Sequence, residues 1–427
     1  MKYAIVTLGC KVNQFETQAM EALLAAHGHS AAAPGEADAV IVNTCAVTAE
    51  SGRKSRQALR RLQHENPGAV SAVCGCFSQI SPDELAELGA DVIFGSGDRT
   101  GFVAAVEQAA AERCTVRCID DPFQRMTMEP LPAGALEGRT RAYMKIEDGC
   151  DNFCTYCVIP YARGRVRSMP LAAAAAEAER LQGEGFREII VTGIEISSYG
   201  KDFRDGSGLG EVLRTIALAA PKTRIRIGSI EPTVITEAFC EQIAGCGNIC
   251  LHFHLSLQSG CDRTLAAMHR KYDTAQFAGA AELLRSAFPG CALTADLITG
   301  FPGESEADHA ATLEFIRRIS FAEMHVFPYS VRPGTKAAAL PGQLTHAVKD
   351  RRAAEAQQAA EEMQLAYLDA QIGATLPVLF ETEQDGVWQG HSDNYCEVTA
   401  AGQQLHGLMK NVQITGRNGK KICGIIV

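Results

Sequence analysis

The 427-residue chain lacks any uninterrupted apolar run long enough to cross a membrane. Its first residues, MKYAIVTLGC, reach an apolar run by residue 3. This leaves no room for the basic and apolar regions of a secretory signal peptide. The two absences predict a cytoplasmic protein with no membrane partner.

An excess of positive charge is also lacking, because 50 Asp and Glu residues outnumber 40 Lys and Arg residues and give a net charge of -10. Binding to nucleic acid of any sequence rests on many Lys and Arg contacts with phosphate. The charge therefore argues against an indiscriminate nucleic-acid binder, although a local basic patch could still bind RNA. The hydrophobic fraction of 46% and the charged fraction of 21% are ordinary for globular proteins and exclude a disordered chain.

Short apolar runs alternate with helical patterns twice along the chain, which is typical of α/β folds with parallel sheets. The first series, with KYAIVTL, ADAVIVNT, AVSAVCG and ADVIFG, predicts an open parallel α/β domain over residues 1–115. A proline-containing stretch over 116–136 is interpreted as a linker. The second series has six strand patterns over residues 137–370 and predicts a partial (β/α)6 barrel.

The end of the chain changes character after a long alanine-rich helical pattern, DRRAAEAQQAAEEMQLAYLDAQ. Five short strand patterns with Gly and Asn turns follow over residues 371–427. Such a pattern predicts a small antiparallel β-barrel. Three domains agree with a length that exceeds one compact core.

Sixteen cysteines occur in the sequence, and a reducing compartment disfavours disulfides between them. The stretch DGCDNFCTYC places Cys150, Cys154 and Cys157 just past the first barrel strand and supplies no fourth cysteine. Three thiolates with C-x3-C-x2-C spacing can hold three irons of a 4Fe-4S cluster and leave one iron for a non-protein ligand. A zinc site completed by a distant histidine, or a chance cluster, is the alternative.

This motif at the mouth of a barrel resembles that of the radical S-adenosylmethionine (SAM) enzymes. The resemblance implies that SAM chelates the open iron and is cleaved to a 5'-deoxyadenosyl radical. TGIEISSYG, LSLQSGCD and TADLITGFPGE are similar to the strand-end SAM motifs of that superfamily, although Glu195 stands where close relatives have Asn. The resemblance assigns SAM binding to Gly193, Glu195, Ser256, Gln258, Thr299 and Gly300.

A second set of thiols, Cys10, Cys45 and Cys76, lies just past the carboxyl ends of three predicted strands in the first domain. Those ends share one sheet edge, where open α/β folds bind ligands, so the three thiols are expected to converge. Cys74 lies two residues before Cys76, and strand alternation would point the two the same way. Burial as small hydrophobes remains the alternative for this set. The other ten cysteines, with His252 and His254, are interpreted as structural.

Together GCKVNQFE, NTCAVT, GCFSQ, GCDNFCTYC and FPYSVRPGT resemble the methylthiotransferases over the whole chain. The resemblance assigns Cys10, Cys45 and Cys76, rather than Cys74, to an auxiliary 4Fe-4S cluster and makes all six cluster cysteines catalytic. It implies a transferase in which one SAM supplies a methyl group and another supplies the radical. The product carries a methylthio group on an unactivated carbon.

The GHSDNY stretch is similar to members that act on C2 of N6-threonylcarbamoyladenosine beside the tRNA anticodon, with a terminal TRAM-type RNA-binding barrel. Members that modify isopentenyladenosine or a ribosomal-protein aspartate, and a non-catalytic iron-sulfur carrier, remain alternatives. The resemblance further implies a monomer that uses a low-potential electron donor such as flavodoxin or ferredoxin. Side chains suited to stacking and phosphate contacts with an anticodon loop are Trp388, Tyr395, Lys410, Arg417, Lys420 and Lys421.

Overall fold

The computed structural model describes residues 1–33, 35–132 and 140–427. In chain order these residues form an open parallel sheet, a partial β/α barrel and a closed five-stranded β-barrel. The α/β fold class predicted from the sequence is confirmed. Residues 133–139, where the expected linker meets the expected barrel domain, lie outside the described residues.

The first unit is a six-stranded sheet with helices on both faces. Its strands are β1 Lys2–Thr7, β2 Ser30–Ala31, β3 Ala39–Thr44, β4 Val70–Gly75, β5 Val92–Phe94 and β6 Val116–Cys118. Its helices are α1 Lys11–Ala26, α2 Ala49–Glu65, α3 Cys76–Ile80, α4 Pro82–Glu87 and α5 Arg99–Glu112. The strand order is β2-β1-β3-β4-β5-β6, with every pair parallel. The central strands β3 and β4 are buried at every position, as strands covered on both faces must be.

The strand β6 differs from the expectation that a linker begins at residue 116. Val116–Cys118 pairs in parallel with β5, so the sheet extends three residues into that stretch. A three-residue edge strand is too short to show an alternating pattern, which is why the sequence did not reveal it. A 3-10 turn, Pro122–Gln124, follows.

The second unit carries all six predicted barrel strands. The strands of this unit are β7 Arg141–Lys145, β8 Glu147–Asp148, β9 Arg167–Ser168, β10 Glu188–Thr192, β11 Arg224–Ile227, β12 Ser229–Ile230, β13 His252–Gln258, β14 Ala292–Thr299 and β15 Glu323–Pro328. Its helices are α6 Ile159–Arg163, α7 Leu171–Gly183, α8 Leu209–Ala219, α9 Glu237–Ala244, α10 Asp262–Ala267, α11 Thr274–Ala287, α12 Glu306–Ile319 and α13 His346–Asp369. Parallel pairing runs β7-β10-β11, then β12-β13-β14-β15, and β8 and β9 form a small ribbon of their own. The strands and helices bury one large apolar core between them.

The third unit is a closed barrel of five strands, as the sequence predicts. The strands are β16 Thr375–Gln384, β17 Val387–Ser392, β18 Glu397–Ala401, β19 Met409–Asn418 and β20 Lys421–Ile426. The order around the barrel is β16-β17-β18-β20-β19. One pairing departs from the antiparallel expectation, because β18 and β20 run parallel. The chain crosses over with β19 before it returns as β20, a connection that strand patterns alone do not reveal.

A buried ion cluster anchors the third unit to the start of the barrel strands. The carboxylate of Glu188 is fully buried and accepts hydrogen bonds from Arg226 and Arg224. The same two guanidinium groups donate to the main-chain carbonyls of His391, Ser392 and Asp393 at 2.9–3.0 Å. Burial alone would raise the pKa of Glu188, but Arg226 and Arg224 lower it to about 2.

Among the residues that the structure describes, none of the helices combines the length and the apolar character that a membrane span requires.

We predict that Glu188→Gln lowers the free energy of unfolding by about 3–5 kcal/mol, because it leaves buried guanidinium charge without a carboxylate. Chemical denaturation followed by circular dichroism measures the change. The difference from the parent should shrink as the pH falls from 4.5 towards 2, because the carboxylate is protonated in the unfolded chain over this range while it stays ionised in the folded protein. Glu184→Gln, which breaks a surface pair with Arg180, is the control and should cost at most about 1 kcal/mol. Equal effects of the two variants would contradict the prediction.

Candidate functional site

The thiols of Cys10, Cys45 and Cys76 line one cavity at the carboxyl edge of the first sheet. Cys45 directly follows β3, Cys76 directly follows β4, and Cys10 lies three residues past β1. Because β1, β3 and β4 are neighbours, the sheet brings the three positions together. This is the convergence that the sequence predicts.

Glycine precedes two of these cysteines for steric reasons. Gly75 has a φ of +98°, and a Cβ there would lie 2.5 Å from the carbonyl oxygen of Thr44. A Cβ on Gly9 would lie 2.8 Å from the sulfur of Cys45. The Gly-Cys pairs in the sequence therefore allow the chain to turn sharply at the sheet edge.

Cys74 does not point the same way as Cys76, which corrects the expectation from strand alternation. Cys76 is no longer part of the strand, because the left-handed Gly75 ends β4 and Cys76 begins α3. Cys74 remains within β4 and is fully buried, with its sulfur 3.9 Å from that of Met20. Its thiol belongs to the core on the other side of the sheet.

Cys150, Cys154 and Cys157 lie in the loop that follows β7 and β8, at the carboxyl ends of the barrel strands. The amide of Cys157 donates to the carbonyl of Cys154 at 3.0 Å, and the amide of Ile159 approaches the sulfur of Cys157 at 3.4 Å. The guanidinium of Arg270 donates to the sulfur of Cys154 at 3.2 Å. Burial and the nearby Cys157 and Cys154 raise the pKa of the Cys150 thiol, so the three cysteines of this loop lie near one another.

The residues assigned to SAM lie at the ends of β10, β13 and β14, next to this loop. Glu147 accepts from the amide of Glu195 at 2.7 Å, just after Gly193. Ser256 accepts from the hydroxyl of Tyr272, which in turn contacts Arg270.

Three more of these residues show backbone or polar features suited to a ligand. Gln258 and Gly300 both have positive φ, of 64° and 72°. The hydroxyl of Thr299 is buried and finds no hydrogen-bond partner within the described part of the chain. Burial, together with the nearby Glu231, raises the pKa of Glu195 to about 7.

Comparison with known proteins places this geometry in a family. Residues 144–316 match the model of the radical SAM superfamily, and residues 2–95 match that of an uncharacterized protein family, UPF0004. The chain is 36% identical to the threonylcarbamoyladenosine tRNA methylthiotransferase MtaB of Bacillus subtilis, over 96% of this chain and 93% of the relative. It is 31% identical to a tRNA-2-methylthio-N(6)-dimethylallyladenosine synthase of Pelotomaculum thermopropionicum, over 100% and 97%.

The chain belongs to the radical SAM methylthiotransferases. It is therefore a transferase, and its cofactors are SAM and two 4Fe-4S clusters. The fold agrees with that of the radical SAM methyltransferase TsrM from Kitasatospora setae, with a TM-score of 0.57 and 15% identity over 90% of this chain and 79% of the other.

The two sets of cysteines fit clusters of this kind. Burial raises the pKa of Cys76 and of Cys157 to about 12, so each free thiol carries its proton at neutral pH and would release it on binding a metal. Within residues 1–33, 35–132 and 140–427, no three His, Cys, Asp or Glu side chains close around a single ion. A cubane has its irons at separate corners, so its thiolates need not meet at one point.

The cavity is also lined by a group of polar side chains, termed the polar wall, which comprises Lys11, His252, His254, Asp296, His325 and Tyr395. Of these, only Tyr395 was singled out from the sequence as a functional residue. Asp296 lies 3.3 Å from His254 and 3.3 Å from His325. His252 and His254 both contact the hydroxyl of Thr294, at 3.0 and 2.9 Å. Their alternation along β13 was the available signal, but it was interpreted as packing alone.

The residues proposed for RNA are spread over the third unit. Tyr395 faces the cavity and stacks on His252 at 4.9 Å between ring centres. Trp388 packs against the apolar core of the terminal barrel. Lys410 is exposed, whereas Arg417, Lys420 and Lys421 pair with Asp369, Glu361 and Glu397. The structure thus brings only Tyr395 to the cavity.

We predict that anaerobically reconstituted protein binds about eight irons and that Cys76→Ala removes about four of them, because two cubanes require that number. Cys74→Ala is the matched control and should keep all eight, since its thiol lies in the core. Iron and sulfide analysis together with Mössbauer spectra measures the result. Loss of iron in Cys74→Ala with retention in Cys76→Ala would reassign the ligand.

Proposed function

We propose that this enzyme transfers a methylthio group to C2 of N6-threonylcarbamoyladenosine beside the anticodon of tRNA. In this proposal Cys150, Cys154 and Cys157 hold the SAM cluster, and Cys10, Cys45 and Cys76 hold the auxiliary cluster. The observation that carries the proposal is a cavity of about 820 Å³ that is lined both by Cys10, Cys45 and Cys76 and by the polar wall. A volume of this size suits one nucleoside with its substituent.

The cavity explains how an unreactive carbon can be modified. The C2–H bond of adenine has neither an acidic proton nor a leaving group, so general acid-base catalysis does not reach it. When bound, the two clusters and SAM supply the radical, the sulfur and the methyl group. The chain contributes position, because the sheet edge holds Cys10, Cys45 and Cys76 on the same cavity that Gly193, at the carboxyl end of a barrel strand, also lines.

The polar wall favours threonylcarbamoyladenosine over the dimethylallyl substrate named for other relatives. A dimethylallyl group is a branched hydrocarbon, whereas a threonylcarbamoyl group carries a carboxylate, a hydroxyl and a urea. Lys11 and His325 offer cationic or donor groups, and the hydrogen bond that His325 donates to Asp296 raises the pKa of His325. Burying a hydrocarbon against Lys11 and His325 would remove these groups from water without supplying a new hydrogen bond, which is costly.

Tyr395 provides a surface for a base or for the substituent. Its ring is stacked with His252 and His391, and the guanidinium of Arg226 lies 4.6 Å from the ring centre. Its backbone has a φ of +66°, an uncommon conformation for an aromatic residue that often marks a functional position. Splayed RNA bases commonly stack on such rings. Lys410, Arg417, Lys420, Lys421 and Trp388 complete the proposed RNA surface.

The same proposal covers the domain bounds, the SAM contacts, the localisation and the electron donor of the enzyme. We place the methylthiotransferase domain at residues 1–118, because β6 belongs to its sheet, the radical SAM domain at 137–370 and the TRAM-like RNA-binding barrel at 371–427. Gly193, Glu195, Ser256, Gln258, Thr299 and Gly300 contact SAM. The enzyme acts in the cytoplasm as a monomer and receives electrons from flavodoxin or ferredoxin.

Deletion of the gene should remove the methylthio form of threonylcarbamoyladenosine from tRNA and leave threonylcarbamoyladenosine to accumulate. Mass spectrometry of digested tRNA measures both nucleosides. Reduced, reconstituted protein should also cleave SAM to 5'-deoxyadenosine, which a passive iron-sulfur carrier does not do. Unaltered tRNA in the deletion strain, or loss of the isopentenyl product instead, would contradict the substrate assignment.

We predict that His325→Leu lowers kcat/KM for threonylcarbamoyladenosine tRNA about tenfold or more, because a charge-assisted hydrogen bond to the substituent is worth about 1.5–3 kcal/mol. SAM cleavage without tRNA should stay at the parent rate, since His325 is not among the residues proposed to contact SAM or to hold the SAM cluster. His346→Leu, which replaces an exposed histidine at the start of α13, is the control. An equal loss in both variants would rule out a specific role for His325.

A further inference from the structure

Arg163 of the barrel reaches across to a thiol of the first domain. Its guanidinium is fully buried, and Nε donates to the sulfur of Cys76 at 3.1 Å. Nη2 donates to Asn13 and to Glu16, at 3.1 Å each. Asn13 and Glu16 lie on α1, the helix that starts immediately after Cys10. One side chain thus contacts the surroundings of two of the three auxiliary thiols.

The main chain beside Arg163 contacts the other set of thiols. Arg163 is the last residue of α6, six positions after Cys157. The next residue, Gly164, accepts a hydrogen bond from the amide of Cys150 at 3.0 Å. Arg167 donates to the carbonyl of Arg163 at 3.0 Å and so fixes the turn. The segment that positions Cys150 is therefore the segment that carries the guanidinium to Cys76.

A buried network of charges fixes the direction of the Arg163 side chain. Glu16 also pairs with Lys145 at 3.1 Å and with Arg99 at 3.5 Å. A guanidinium with several partners has few alternative rotamers, so its Nε stays directed at the sulfur.

The loop with Cys150, Cys154 and Cys157, termed the SAM-cluster loop, has a similar arginine–sulfur contact, but within a single unit. Arg270 donates to the sulfur of Cys154 at 3.2 Å and is held by Glu231. Arg270 and Cys154 both belong to the barrel, whereas Arg163 and Cys76 belong to different units. The auxiliary site is complete only when the barrel is docked on the first domain.

We infer that Arg163 is a positioning residue that orients the Cys76 thiolate and raises the reduction potential of the auxiliary cluster by donating a hydrogen bond to that sulfur. A donor at a cluster sulfur stabilises the reduced form, which carries one more negative charge. The inference rests on the proposed assignment of Cys76 as a cluster ligand. It adds a link through which the SAM-cluster loop sets the electronic properties of the second cluster.

The test uses the full chain with Cys150, Cys154 and Cys157 replaced by Ala, so that only the auxiliary cluster remains. In this parent, Arg163→Lys keeps the positive charge but places all donors on one nitrogen, which does not reproduce the separate Nε contact with the sulfur and Nη2 contact with Glu16. We expect the variant to bind about four irons, as one cubane requires, and to show a lower midpoint potential than the parent. A redox titration followed by electron paramagnetic resonance measures the potential without any assay of turnover.

Arg99→Lys is the matched control, because Arg99 is equally buried and pairs with the same Glu16 but has no contact with a ligand sulfur among the described residues. Its midpoint potential should equal that of the parent. Loss of iron in Arg163→Lys alone would also support the positioning role. An unchanged potential in Arg163→Lys with about four irons retained, or the same change in both variants, would overturn the inference.

A paired variant keeps the test decisive if Arg163→Lys does not fold. Glu16→Gln combined with Arg163→Gln removes both charges of this pair together. Its bound iron and its midpoint potential are compared with those of the parent in the same way. The variant without Cys150, Cys154 and Cys157 separates this inference from the proposed function. If this variant binds no iron, the assignment of Cys76 to an auxiliary cluster is refuted. Failure of the tRNA assay refutes the substrate and leaves the redox result intact.

Discussion

The site depends on a second buried ion cluster, distinct from that of Glu188, which joins α1 of the first domain to the barrel. Glu16 of the first domain forms ion pairs with Lys145 and Arg163 of the barrel. Lys145 also pairs with Asp148, which belongs to the barrel as well. Charges removed from water remain stable only when each finds its partner. The first domain and the barrel are therefore held in one relative position, and both sets of thiols keep a fixed relation to the cavity.

Much of this arrangement could be predicted from the sequence, because it follows from local rules. Cysteines just past strand ends must meet at one edge when the strands are parallel neighbours, and this holds for Cys10, Cys45 and Cys76. The six barrel strands and five terminal strands are long enough for their apolar patterns to be visible. Their boundaries agree with the structure to within a few residues.

What could not be predicted depends on contacts between distant segments or on single backbone angles. The orientation of Cys74 follows from one left-handed glycine, Gly75, which ends the strand before Cys76. The parallel pairing of β18 with β20 depends on how the chain crosses the barrel. The polar wall combines Lys11 of the first domain, His254 and Asp296 of the barrel and Tyr395 of the terminal unit. No sequence pattern links residues that are hundreds of positions apart.

The arginine contacts with the carbonyls of residues 391–393 have a consequence for how a nucleotide is chosen. Because Arg224 and Arg226 hold this turn against the barrel, Tyr395 keeps its place on the cavity wall. Under the proposed function, the distance between its ring and the thiols of Cys10, Cys45 and Cys76 would then be constant. An RNA loop that offered the neighbouring nucleotide would present that base at the wrong depth, so the position along the RNA would be selected by distance.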